Sequence, residues 1–361
     1  MEREQALKFV HELLRAMLAK RASDLFITAG FPPAMKIDGK MTPVSSSSLS
    51  PIHTGEIARS VMTDKQAAEF EATKECNFAI APAGIGRYRV NAFVQQGRIG
   101  MVLRTITTAI PKMEDLNLPP VLKDVVMTKR GLVILVGGTG SGKSTTLAAM
   151  IGYRNENSYG HIITIEDPVE YVHEHKNCVI TQREIGRHAG SFSEALRDAV
   201  REDPDVILVG ELRDLESISL ALTAAETGVQ VLATLHTGNA QRTIDRIVNV
   251  FPERRQDQVR AMLAESLRMV ISQRLLRRAD GNGRVVAADI LVNTHAASTM
   301  IRAGNSHKLE SVMQTGGSTG MQSLDAVLKD LVRKKVIAVD EAIAQALNPS
   351  QFDYLAKDCA A

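Results

Sequence analysis

Two hydrophobic periods alternate along the chain. Residues 2–20 carry Leu7, Val10, Leu14, Met17 and Leu18 at helical spacing, with Leu13 widening the stripe, which predicts an amphipathic helix. Its polar face mixes acids and bases, so it is expected to pack on its own domain rather than lie on a membrane. Ser23 to Thr28 opens a strand-rich region. Ala34 to Lys40 alternates and contains Asp38-Gly39, a hairpin signal. Ser45 to Ser50 reads as a polar loop and Ser60 to Glu71 as a helix. Cys76 to Ile80, Gly86 to Val94 and Gly100 to Ile106 read as strands. Residues 1–106 are therefore expected to form a small α+β domain. Residues 107–120 hold Pro111, Pro119 and Pro120 and read as a linker able to act as a hinge.

Beyond residue 120 the pattern changes. Helix-like residues 121–128 lead into the apolar run Leu132 to Val136, suited to a strand buried on both faces. A helix begins near Thr145. Strands are then expected at His161 to Ile165, Asp205 to Glu211 and Val231 to Thr234, with helices at Phe192 to Glu202 and Asp214 to Ala225. Strand and helix in alternation imply an α/β fold with a doubly wound parallel sheet, whose ligands bind beyond the carboxyl ends of the strands. Val259 to Arg278 reads as one helix, with Met262, Leu263, Leu267, Val270, Ile271 and Leu275 at helical spacing and Arg277-Arg278 as its charged end. Val285 to Val292 is a strand, Gly316 to Gly320 a loop, and Leu324 to Val332 and Val339 to Leu347 are short helices. Residues after Asn348 look like a loosely held tail.

Composition narrows the classes. A length of 361 residues suggests about two to three domains. The net charge of +2 gives no support to a strongly electrostatic nucleic-acid binder, and none is expected as a partner. Cys76, Cys178 and Cys359 are far apart, so neither a zinc ribbon nor a disulfide framework is suggested. No apolar run is long enough to span a membrane, and the N-terminus lacks a signal-peptide pattern, so a reduced intracellular protein is expected.

Chemistry concentrates at strand ends. Gly137, Gly138, Thr139, Gly140, Ser141, Gly142, Lys143 and Ser144 fit G-x-x-x-x-G-K-[ST] between a strand and a helix. Such a loop wraps phosphates with backbone N–H groups at a positive helix end, and Thr145 continues it into the helix. Lys143 supplies a full positive charge, and the Ser144 hydroxyl can ligate Mg²⁺. Glu211, after an apolar strand, suits a carboxylate that reaches Mg²⁺ directly or through water. Glu166 is a candidate to orient or deprotonate an attacking water; the alternative for each acid is a cap or a surface charge. His236 ends a third strand.

Thr164 to Glu170 resembles the Asp box of secretion-superfamily ATPases, Leu208 to Asp214 their Walker B, and Thr234 to Thr237 their His box. Ala224 to Gly228, Ser266 to Gln273 and Gly316 to Gln322 are similar to the retraction ATPases of type IV pili, the PilT/PilU group. Glu75 to Ile80, Gly100 to Arg104 and Ala149 to Asn155 lean towards the PilU type, whereas residues 191–237 look more PilT-like. The resemblance implies a PAS-like N-terminal domain over 1–106, a hinge over 107–120, a RecA-like ATPase domain over 121–292 and a C-terminal helical subdomain and tail over 293–361. It implies ATP and Mg²⁺, a homo-hexameric ring at the cytoplasmic face of the inner membrane, a platform protein and a paralogous retraction ATPase as partners. It also implies that Arg89 and Arg104 reach the nucleotide phosphates, and that His236 senses the γ-phosphate or bridges to a neighbour.

The chain departs from that pattern in three places. Gly138 stands where Pro is usual, which should loosen the loop. Val229 stands where an earlier His is usual, so a polar contact is expected to be missing. Ala296 to Ala303 keeps only the Ile301-Arg302 end of a retraction motif, which points to an accessory role. The expected activity is thus a hydrolytic pilus-retraction motor. Alternatives are a structural ring subunit, an extension or secretion ATPase, or a DNA-translocating ATPase, the last disfavoured by the near-neutral charge.

Overall fold

The computed structural model describes residues 2–37, 40–106 and 109–352. The Asp38-Gly39 turn signal, Thr107-Thr108 at the start of the expected linker, and Cys359 lie outside the described residues. The chain forms two compact units, residues 1–109 and 110–361.

The first unit opens with α1 (Arg3–Ala19). Its buried stripe is Ala6, Val10, Leu13, Leu14 and Met17, whereas Leu18 points to solvent. Then follow β1 (Asp24–Ile27), β2 (Ala34–Ile37), β3 (Lys40–Pro43), α2 (Pro51–Ser60), α3 (Asp64–Thr73), β4 (Glu75–Ile80), β5 (Arg87–Gln95) and β6 (Arg98–Ile106). The sheet is antiparallel in the order β3-β2-β1-β6-β5-β4, so the first strand lies beside the last. The helix expected over Ser60 to Glu71 is α3, starting at Asp64, and α2 before it was not expected. Ser50 caps α2 with Pro51 in its first turn, and Thr63 starts α3 with a capping box to Gln66. The core gathers α1, α2 and one face of the sheet around Leu14, Leu25, Ile57, Tyr88 and Leu103.

The second unit contains α4 (Val121–Val126), β7 (Gly131–Val136), α5 (Lys143–Asn157), β8 (Gly160–Glu166), β9 (Cys178–Glu184), α6 (Phe192–Ala199), β10 (Val206–Val209), α7 (Leu215–Thr227), β11 (Gln230–Leu235), α8 (Ala240–Asn249) and α9 (Glu253–Ser266). It continues with β12 (Leu267–Arg277), β13 (Arg284–Val292), α10 (His295–Arg302), α11 (Leu309–Thr315), α12 (Leu324–Arg333) and α13 (Val339–Gln345). The seven strands run β13-β12-β7-β11-β10-β8-β9, all parallel except β13. β7 and β10 are buried along their whole length, as the apolar runs require. Separate cores form on the two faces.

Two other expectations fail. Val259 to Arg278 is not one helix: α9 ends at Ser266 and β12 follows without a loop. Its Met269-Val270-Ile271 run satisfies either period. Strand partners on both sides, β7 and β13, decide it. Arg277 is accordingly a strand end. Nor is the segment after Asn348 loosely held as far as it is described. A short 3₁₀ turn (Pro349–Phe352) carries Phe352 into full burial beside Leu324, Leu328 and Ala342, in a small core that joins α12 and α13 to β12 and β13. The edge strand β9 was not expected, because its exposed Val179 and polar Thr181 to Glu184 mask the period.

Candidate active site

Strand register sets the site. β7, β11, β10 and β8 lie side by side, with Val136 beside Leu235, Ala233 beside Val209, and Val209 beside Ile165. The phosphate loop, His236, Glu211 and Glu166 leave these four strands at one carboxyl edge, where the topology places a ligand.

The loop is tightly built. Gly137 has φ +145°, and a Cβ there would lie 2.5 Å from the Gln273 carbonyl oxygen and 2.7 Å from Ser141 Oγ. Gly142, at φ +87°, caps α5 in the left-handed region. The Lys143 ammonium donates to the Gly137 and Gly138 carbonyls at 2.9 and 3.0 Å. An ammonium has three donors, so one remains for a phosphate oxygen. Burial lowers the Lys143 pKa, and the Glu211 and Glu170 charges act against that. Gly138 has an ordinary φ, and its carbonyl also accepts from the Ser141 N–H at 3.3 Å, so the loop is tied here without a proline. Gly138, Thr139, Gly140 and Ser144 are exposed. Ser141 Oγ is buried without a hydrogen-bond partner among the described residues. The backbone N–H groups at the start of the 15-residue α5, with the Lys143 ammonium beside them, fit a bound phosphate chain. Thr145 Oγ1 lies 3.0 Å from the Tyr171 hydroxyl.

The two acids differ in environment. Glu166 is half-buried at the end of β8; its Oε1 accepts from Thr164 Oγ1 at 2.7 Å and Gln182 Nε2 at 3.3 Å. Burial raises its pKa above the ordinary carboxylate value, and those hydrogen bonds oppose the rise. A carboxylate in such a place is a stronger base than a solvated one. Glu211 sits among charges: Arg213 Nε donates to its Oε2 at 2.8 Å, and His236 Nε2 lies 3.4 Å from its Oε1. Arg213 also faces Asp167 at 3.7 Å and lies over the Phe192 ring. Gly210 lets the two acidic strand ends approach, since its N–H donates to the Ile165 carbonyl at 2.8 Å and a Cβ would stand only 3.1 Å from that carbonyl oxygen. Thr234 Oγ1 donates to the Gly210 carbonyl and Leu212 N–H to the Thr234 carbonyl, locking the Glu211 turn to β11.

His236 therefore joins the acids. Val229, by contrast, precedes β11 and lies at the opposite edge of the sheet, about 20 Å away at ~3.3 Å per strand residue. A polar side chain there would not enter this site. Arg89 and Arg104 belong to the first unit, where they are exposed cross-strand partners on β5 and β6. Arg104 Nε donates to the buried Asp24 at 2.8 Å.

Arg213 and Gln273 were legible only as parts of motif stretches. Their roles depend on what the fold brings near them. A cavity of about 460 Å³ lies at the far end of α5, lined by Met113, Tyr153 and His173 among others, and includes neither the phosphate loop nor Glu166, Glu211 or His236. A second, of about 320 Å³, is bounded by Gly137 to Ser141, Gly238, Ser272 to Leu275 and Gln345.

A family model described as "Type II/IV secretion system protein" matches residues 2–334. The chain is 49% identical to the type IV pilus ATPase PilU of Pseudomonas aeruginosa over 93% of its length and 88% of that relative's. It is 48% identical to the type IV pilus retraction ATPase PilT of the same organism, over 95% and 99% of the two chains. A crystal structure of the pilus retraction motor PilT with bound ADP superposes with a TM-score of 0.90 at 41% identity, covering 95% of this chain and 98% of the other.

Proposed function

The chain belongs to the type II/IV secretion system protein family, and on that premise we propose that it is an ATP-hydrolysing motor of type IV pilus retraction, of the PilU kind. The observation that carries the reading is the convergence of a phosphate loop with Glu166, Glu211 and His236 on four adjacent strand ends, in a chain whose relatives are named pilus ATPases.

Loop N–H groups and the free donor of Lys143 hold the β- and γ-phosphates of ATP. Ser144 and Glu211 would hold Mg²⁺, directly or through water, and the ion supplies charge neutralisation at the phosphate oxygens. Glu166 takes a proton from the water whose oxygen attacks the γ-phosphorus as the bond to ADP breaks. Arg213 neutralises Glu211, and His236 beside it helps to orient the carboxylate. Arg89 and Arg104 are proposed to add positive charge to the phosphates within a homo-hexameric ring, since arginine forks suit a transferring phosphoryl group. Such a ring would work against a platform protein at the cytoplasmic face of the inner membrane. Among the described residues no helix is long and apolar enough to cross a membrane.

The departure of Ala296 to Ala303 from the retraction motif favours an accessory ring acting beside a paralogous ATPase. The retained end of the retraction motif lies on α10, where Ile301 is buried in the main core and Arg302 pairs with Glu265 on α9 at 3.2 Å. Packing accounts for Ile301, whereas Arg302 stays at the surface in an exposed ion pair.

The test is ATP turnover by purified protein, with Lys143→Ala and Glu166→Gln, together with pilus counts and twitching in deletion strains with and without the paralogue. Turnover lost in both variants and hyperpiliation on deletion support the motor. Wild-type turnover in both variants would overturn the assignment. Pilus retraction in a strain that lacks the paralogue would exclude a purely accessory role.

A further inference from the structure

Strand β12 carries no motif of the phosphate chemistry, yet it touches the phosphate loop and the first turn of α5 at four points. Ser272 is the last β12 residue paired with β7, opposite Val136, so Gln273 stands level with Gly137, where β7 gives way to the loop. Its side chain is 1% exposed. Gln273 Nε2 donates to the Ser141 carbonyl at 2.7 Å, and Gln273 Oε1 accepts from Thr146 Oγ1 at 2.8 Å. One amide thus grips the loop before Lys143 and the helix after it. The two remaining contacts explain two glycines. The Gln273 backbone oxygen occupies the space a Cβ at Gly137 would need, and its Nε2 lies 2.8 Å from where a Cβ at Gly142 would be. On the other face of the strand, Ser272 Oγ donates to the Gly238 carbonyl at 2.9 Å, fastening the turn that follows His236.

We propose that Gln273 is a positioning residue for ATP binding, holding the Ser141 peptide and the first turn of α5 so that the loop's N–H groups converge before nucleotide arrives. The inference rests on the ATPase reading above. A loop held in its binding shape loses less conformational freedom on binding, so the effect belongs in nucleotide affinity rather than in the chemical step. The geometry assigns both halves of the amide. The donor half restrains the Ser141 peptide, whose neighbour Gly142 has the left-handed conformation that starts α5. The acceptor half restrains Thr146, which is itself buried and whose N–H donates to the Gly142 carbonyl at 3.0 Å. A merely structural glutamine would lower melting temperature and leave nucleotide affinity alone.

The experiment measures steady-state ATP turnover, Kd for ADP and thermal melting for wild type, Gln273→Met, Gln273→Glu, Thr146→Val and the double variant Gln273→Met/Thr146→Val. Methionine keeps the bulk and loses both bonds; glutamate keeps the acceptor and loses the donor. The expected result is a KM for ATP and a Kd for ADP raised about tenfold in Gln273→Met, with kcat changed less than about threefold, from the loss of two buried hydrogen bonds. Gln273→Glu and Thr146→Val should each show part of that rise. The double variant should match Gln273→Met, because Thr146 acts through Gln273. KM and Kd at wild-type values in folded Gln273→Glu and Thr146→Val would overturn the proposal. So would effects of Thr146→Val and Gln273→Met that simply add. Absence of turnover in the wild-type protein would instead defeat the ATPase reading, which separates the two failures.

Discussion

Two adjacent glycines of the phosphate loop are expected to respond in opposite ways to the same methyl group. In Gly137→Ala the new Cβ must sit at φ +145°, 2.5 Å from the Gln273 backbone oxygen and 2.7 Å from Ser141 Oγ. The conformation costs an L-residue about 1–2 kcal/mol. Relief of the contact needs a backbone shift in β12 or the loop, for which overpacking data indicate about 1–3 kcal/mol. Together these make roughly 2–5 kcal/mol, so if the loop opens to accommodate the methyl, ATP affinity falls at least about 30-fold at ~1.4 kcal/mol per decade. In Gly138→Ala the Cβ meets nothing within 4 Å and φ is ordinary. Lower unfolded-state entropy should then stabilise the protein by about 0.4–1 kcal/mol. The assay is isothermal titration with ADP and ATP beside thermal melting of each variant. Wild-type affinity and melting for Gly137→Ala would refute the reasoning, as would a comparable loss of binding in Gly138→Ala.

The remaining predictions concern protons. The raised pKa of Glu166 means its basic form is lost as pH falls through a value above the ordinary glutamate range, so kcat should show an acid limb there. Thr164→Val removes a 2.7 Å hydrogen bond to the carboxylate and should move that limb to still higher pH, whereas an unmoved limb would show that Glu166 is not the group being titrated. Glu166→Gln should cut kcat by about 10²- to 10⁴-fold while ADP binding persists. Asp289 on β13 is pushed up to about 6, chiefly by burial, against the bond its Oδ1 accepts from the Leu324 N–H. Its folded form binds protons more tightly than the unfolded chain, so its contribution is full below about pH 4 and lost as pH rises through about 6. Asp289→Asn keeps the acceptor and should stabilise the protein by up to about 3 kcal/mol at pH 7.5, the gap shrinking to about 1 kcal/mol by pH 4.5 in denaturant melts; equal stability at pH 7.5 would contradict this.

The phosphate loop, the acid at the end of each apolar strand and the alternation of strand and helix follow from local chemistry. Glycine spacing, a continuous apolar run and a terminal carboxylate each act over fewer than about ten residues, the span of a strand and its turn. Glu166, Glu211 and His236 could therefore be singled out and assigned to one edge before any distance was known. What the chain order hid was which strand lies beside which. β12 read as the tail of a helix because Leu267, Val270 and Ile271 stand at helical spacing while the continuous Met269-Val270-Ile271 run suits a buried strand equally well, and only pairing with β7 and β13 settles the choice. That same pairing places Gln273 against a loop more than a hundred residues earlier in the chain. The β7-β11-β10-β8 order, in turn, leaves Val229 at the opposite edge of the sheet and brings Arg213 between Glu211 and Asp167. Phe352 looked like part of a free tail because a lone aromatic has no period, and its burial depends on a surface made jointly by α12 and α13. The sequence by itself determined the reagents and the strand ends that carry them, because both are local. The tertiary structure alone decided what holds those reagents in place, because hydrogen bonds across a sheet depend on strand order and register, which no single segment encodes.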